Sequence, residues 1–163
     1  MSTKLQLAGV TGLLLVATLL VGVPGVAASS RAVPFRLSIS GIGGFSSPSS
    51  VFFMGSGHAL HMGKVTDDGA ATDFTPATTC PQGGINNLHS ETFTAADGST
   101  LSVLSHDVAC WVSATRIYCA DCPWSVTGGT GRFADAAGTG NLNGYLDLAS
   151  GTFAGTYTGT ISY

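Results

Sequence analysis

The segment NLNGYLDLASGTFAGTYTGTIS, residues 141–162, decides the fold of this chain. In its second half Phe153, Gly155, Tyr157, Gly159 and Ile161 fall on one side of a period-two alternation, and Thr152, Ala154, Thr156, Thr158 and Thr160 fall on the other. In its first half Leu142, Gly144, Leu146 and Leu148 alternate with Asn141, Asn143, Tyr145 and Asp147. Side chains alternate between the faces of a strand, so each half reads as a strand with one buried face. Ala149-Ser150-Gly151 is short enough to turn the chain directly back, which makes the pair an antiparallel hairpin. Glycine on an apolar face weakens a flat sheet but suits strands that coil tightly, so Gly144, Gly155 and Gly159 favour a closed barrel over a sandwich.

The same period runs outward through the chain. Phe93 and Ala95 alternate with Thr92 and Thr94, Ala96-Asp97-Gly98 turns, and Leu101 and Val103 continue on the return. Phe35, Leu37 and Ile39 alternate with Arg36 and Ser38, and further strands are expected at 51–66, 71–75, 108–118 and 123–127. No stretch of useful length carries helical periodicity; one turn at Gly131-Arg132-Phe133-Ala134-Asp135 is the best candidate. The expected class is therefore all-β, a single antiparallel barrel of about eight strands.

Residues 1–28 differ from everything that follows. Lys4 is basic, 5–23 carry no charge, Pro24-Gly25 interrupt any helix, and Val26-Ala27-Ala28 set small residues before Ser29. That order reads as a signal peptide cleaved before Ser29, leaving 29–163 as one exported domain. No second apolar run of spanning length follows, so stable membrane insertion is not expected after cleavage. All nine acidic residues lie beyond residue 28, against Arg31, Arg36, Lys64, Arg116 and Arg132, and the whole chain carries −3. Nucleic acid is an unexpected partner, because it demands concentrated positive charge.

Four cysteines, Cys80, Cys110, Cys119 and Cys122, are expected to form disulfides in an exported chain. Three pairings are open. A turn around Ser113-Ala114-Thr115 would set Cys110 facing Cys119 and leave Cys80 for Cys122. Cys119-Ala120-Asp121-Cys122 lacks the second close ligand pair of a zinc site, and no metal or other cofactor is expected.

Two stretches carry a family resemblance: GSGHALHMGKVT, residues 55–66, and VTGGTGRFADAAGTG, residues 126–140. Both resemble the allene oxide cyclase/dirigent-like β-barrel superfamily, in particular its small secreted members. The resemblance implies an eight-stranded antiparallel barrel with a central cavity, in which characterised relatives cyclise an oxylipin or guide phenoxy-radical coupling. It also implies assembly into homo-oligomers. It carries no catalytic residue onto a position of this chain.

The residues that point to a site are few. His58 and His61 stand three apart, and on a regular strand that spacing sends them to opposite faces, which argues against a shared metal. Glu91 and His61 are the acid–base candidates, with Asp73 and Asp107 behind them. Phe153, Tyr157 and Ile161, with His61, are the expected ligand-binding residues. Gly128-Gly129-Thr130-Gly131-Arg132 lacks the Lys-Ser/Thr ending and helix of a phosphate loop, so it reads as a turn with Arg132 paired to an aspartate. The expected function is a secreted barrel holding a small hydrophobic or aromatic molecule. An isomerase or cyclase acting in the same cavity, and a structural extracellular protein, are the alternatives.

The signal-peptide reading sets the first prediction. N-terminal sequencing of exported protein should begin within a few residues of Ser29; an intact Met1 would refute it.

Overall fold

The computed structural model describes residues 31–163, and the expected signal peptide lies outside the described residues. Eight strands close into an antiparallel barrel in chain order: β1 (Val33–Ser47), β2 (Ser50–Ala59), β3 (Gly63–Pro76), β4 (Gly84–Ala95), β5 (Thr100–Trp111), β6 (Arg116–Gly129), β7 (Ala137–Asp147) and β8 (Thr152–Ser162). β1 pairs with β8 over Val33↔Ile161 to Ile42↔Thr152, which seals the sheet on itself. Among the described residues the helical content is one 3-10 turn at Gly131–Phe133.

Phe153, Tyr157 and Ile161 are all buried on the inner face of β8, while Thr152, Thr158 and Thr160 are exposed. The last hairpin is therefore as its alternation requires. The stretch 51–66 is two strands rather than one. It breaks at Leu60-His61-Met62, where the left-handed backbone falls on His61 (φ 72°) and Gly63 (φ 74°). A sequence with glycine only at the end of such a turn carries a weak turn signal.

The two ends of the barrel differ. At one end Phe35, Phe93, Leu101, Trp124, Phe133, Tyr157 and Ile161 fill the interior completely. Phe35 meets Trp124 edge-on with centroids 5.7 Å apart, and Phe93 meets Tyr157 at 5.2 Å. The 3-10 turn folds Phe133 over this end, with Arg132 Nε 3.4 Å from Asp97 Oδ2 on the neighbouring turn. The opposite end carries the β1–β2, β3–β4, β5–β6 and β7–β8 turns and is open.

The disulfides differ from the pairing that a simple hairpin would give. The β5–β6 register sets Cys110 opposite Tyr118 and Ala109 opposite Cys119, so Cys110 and Cys119 are one step out of line and face opposite sides of the sheet. Cys80 in the β3–β4 loop instead bonds Cys110 at the end of β5, with Cα atoms 5.3 Å apart. Cys119 bonds Cys122 within β6. A bulge makes this possible. Three steps along β6, from Cys119 to Cys122, oppose two along β7, from Gly144 to Leu142, so both cysteines return to the inner face. The disulfides are consistent with an oxidising, extracytoplasmic setting.

Close backbone approach at the filled end generates the second prediction. A Cβ on Gly140 would lie 2.6 Å from the Trp124 ring and would collide with the Thr158 carbonyl. Gly140→Ala should destabilise the barrel by about 1–3 kcal/mol, read as a lowered urea midpoint.

Candidate functional site

The open half of the barrel encloses a cavity. Its volume is ≈ 80 Å³, and it opens to solvent at the mouth. The wall is mostly apolar: Phe53, Phe74, Ile85, Leu146 and Phe153 surround it, and Gly144 and Gly155 widen it on one side. Phe53 and Phe153 meet edge-on at 5.2 Å. Gly155 has no backbone crowding it; a Cβ there would first meet the mobile end of Leu142, at 3.2 Å.

The polar part of the wall comes from β4 and β5. Asn87, His89 and Glu91 are successive inward residues of β4, and Ser105 and Asp107 are successive inward residues of β5. The register sets Asn87 opposite Asp107, His89 opposite Ser105 and Glu91 opposite Val103. Period-two placement on two neighbouring strands thus gathers every one of these groups on one patch. Asp67 on β3 lies one inward step deeper, beyond Gly69, the β3 partner of Glu91.

His89 is the hub. It donates from Nδ1 to Asp107 Oδ2 at 3.1 Å, and its Nε2 lies 3.0 Å from Glu91 Oε1. The second contact is an ion-pair distance without hydrogen-bond alignment, because the Nε2–H is not aimed at the oxygen. Tyr157 donates its hydroxyl to Glu91 Oε2, and Ser105 donates to Asp107 Oδ1. The Phe53 ring packs over the imidazole with centroids 4.7 Å apart.

Burial pulls the His89 pKa down, but the adjoining Glu91 charge and the hydrogen bond to Asp107 outweigh it and push it up to about 10. His89 is therefore an imidazolium at neutral pH. Burial raises Asp67 to about 8, with the Glu91 charge adding to the effect and His89 opposing it. Asp67 keeps its proton, in keeping with two carboxyl oxygens that have no partner. Burial, and then the Glu91 charge, hold the Tyr157 phenol well above its ordinary range.

Phe153, Tyr157 and Glu91 line the cavity. Ile161 faces the same interior but belongs to the filled end, opposite Val33 and Gly138. His61 is exposed on the β2–β3 turn at that end, donating from Nε2 to the Pro34 carbonyl at 3.0 Å. It is far from the cavity because the strand stops at Ala59, so alternation no longer sets its direction. His58 is exposed on β2, and Asp73 is exposed on a bulge of β3 with φ 59°. Asp107 reaches the cavity wall. His89, Asn87, Ser105 and Asp67 were not singled out by sequence. Their signal was present: carrying the Phe93/Ala95 row back by twos gives Glu91, His89 and Asn87.

The two shifted groups set the third prediction. His89 holds its proton in the fold to about pH 10 but only to about 6.5 when unfolded, so its contribution is complete below 6.5 and is lost as pH rises toward 10. Asp67 holds its proton to about 8 in the fold against 3.8 unfolded, so stability also declines as pH rises between those values. The urea midpoint should fall steadily from about pH 5 to about pH 9. Asp67→Asn should flatten the lower part of that slope, and a midpoint rising with pH would refute the assignment.

No family model matches the chain, and no curated protein matches it. Among solved structures, it is similar to the pterocarpan synthase dirigent protein GePTS1, at 15% sequence identity and a TM-score of 0.47, covering 82% of this chain and 92% of that one. That likeness concerns the fold.

Proposed function

We propose that this protein is an exported barrel that binds a small, largely apolar molecule in its open half, with the polar end of that molecule against the His89–Glu91–Asp107 cluster. The observation that carries this reading is the pairing of an apolar cavity with one localised polar patch in its wall. Binding pockets commonly have this character: apolar surface supplies affinity and a few placed polar groups fix orientation. Each Å² of apolar ligand surface withdrawn from water contributes roughly 25 cal/mol before the cost of association. A wholly structural role would leave the interior filled throughout, as it is at the other end.

One observation favours a second reading. Tyr157, Glu91, His89 and Asp107 are adjoining ionisable groups beside the cavity, the material needed for an acid–base isomerisation. Turnover abolished in Glu91→Gln with binding retained would support that reading over binding alone.

Gly155 provides the test of the cavity. Calorimetric titration with 2-phenylethanol should show saturable binding, and Gly155→Leu should weaken it about tenfold or more by filling space, at a stability cost of about 1–3 kcal/mol. His61→Ala, at the closed end, should leave binding unchanged. Undiminished affinity in Gly155→Leu would refute the cavity as the site.

A further inference from the structure

The polar patch is unbalanced in two ways: it has more acceptors than donors, and more negative groups than positive ones. From this we infer that the ligand of the cavity carries a cationic nitrogen, an organic ammonium group on an aromatic or aliphatic body, seated among Glu91, Asp107 and Asn87. The inference deepens the binding reading above and rests on it.

The donors come first. The His89 Nδ1–H and the hydroxyls of Tyr157 and Ser105 are donated to Asp107 and Glu91, while the second ring N–H of His89 lies 3.0 Å from Glu91 without pointing at it. A carboxylate has about four lone-pair positions, so these three donors leave much of the capacity of two carboxylates unmet. Asn87 adds an acceptor that nothing meets. Its Oδ1 has no partner, the residue is only 9% exposed, and it lines the cavity beside Asp107. A buried acceptor without a donor is costly, and a ligand N–H would remove that cost.

Charge points the same way. His89 is the single cation between two buried carboxyl groups, Glu91 and Asp107, while Asp67, a step deeper, keeps its proton. Among the described residues no lysine or arginine lines the cavity. A surface depression of ≈ 230 Å³ adjoins it and shares Asn87 and Asp107, and its other lining groups include Asp73 and Asn86 but no lysine or arginine. His106 is the only basic side chain lining that depression.

The ligand classes separate on this pattern. A carboxylate would meet acceptors and like charge. An alcohol or phenol supplies one donor and leaves the charge imbalance standing. An ammonium group supplies up to three donors and one positive charge, which answers both deficits. Its organic body would occupy the space between Phe53, Phe153 and Leu146.

The test compares three probes of nearly equal shape on the mature protein at neutral pH: phenethylammonium, 2-phenylethanol and phenylacetate. Calorimetry should rank them in that order, with the ammonium about tenfold or more tighter than the alcohol, as a charge-assisted hydrogen bond over a neutral one implies. Asn87→Leu and Asp107→Asn, each checked for the far-ultraviolet signature of the barrel, should weaken the ammonium more than the alcohol, bringing the two affinities together. Alcohol or phenylacetate binding as tightly as the ammonium overturns the cationic assignment and leaves the cavity a binding site. Saturation by none of the three removes both readings. The wild-type ranking decides the matter even where a variant does not fold.

Discussion

Tyr157 belongs to both halves of the barrel, and the contact between its hydroxyl and Glu91 is the joint on which the interior depends. Its ring packs against Phe93 and Trp124, within the aromatic filling of the closed end. Its hydroxyl reaches the carboxylate that borders the cavity. A phenol has an apolar body and one polar tip, and a buried tip must find a partner. Glu91 is that partner, and Glu91 in turn stands beside His89. The hydrogen bond thus ties the dry half to the polar half and gives the buried phenol its partner.

Closure of the sheet sets the remaining terms. Every second side chain of eight strands points inward, so the interior is a list of residues dictated by phase alone. Aromatic and branched residues take those positions toward the β2–β3 turn. Small residues at Gly144, Ala154 and Gly155 adjoin the cavity toward the other end. The ionisable residues occupy the middle, where neighbours on three strands surround them. Burying charge without pairing it is expensive, and here the imidazolium of His89 lies between two carboxylates.

The degree to which this was legible varied with how regular each strand is. The last hairpin could be read residue by residue, since nothing between 152 and 162 disturbs its period. β4 could be read in principle, because Asn87, His89 and Glu91 keep step with Phe93. Polar residues on an inward row, however, look like the outward row of a neighbouring register until the pairing is known. The cysteine pairing depended on a bulge in β6, where Asp121 adopts φ 51°. Bulges shift phase by one residue and have no reliable mark outside glycine. His61 could not be placed because phase ends where a turn begins. The division of the interior into a filled and an open half depends on how volumes sum across all eight strands, which no single segment contains.

The bond between Cys80 and Cys110 spans a sequence separation of 30, and that span contains the β4–β5 hairpin up to the last residue but one of β5. Asn87, His89, Glu91 and Asp107 of the cavity wall all lie inside this covalent ring. A slip of one residue between β4 and β5 would turn His89 and Glu91 out to solvent and bring Leu88 and Ser90 inside. The Ala96-Asp97-Gly98 turn fixes the hairpin at one end, and the disulfide fixes it at the other. In this protein the cross-link acts as a register lock: it rules out the misaligned ladder that would hide a hydrophobic residue where the imidazolium must stand.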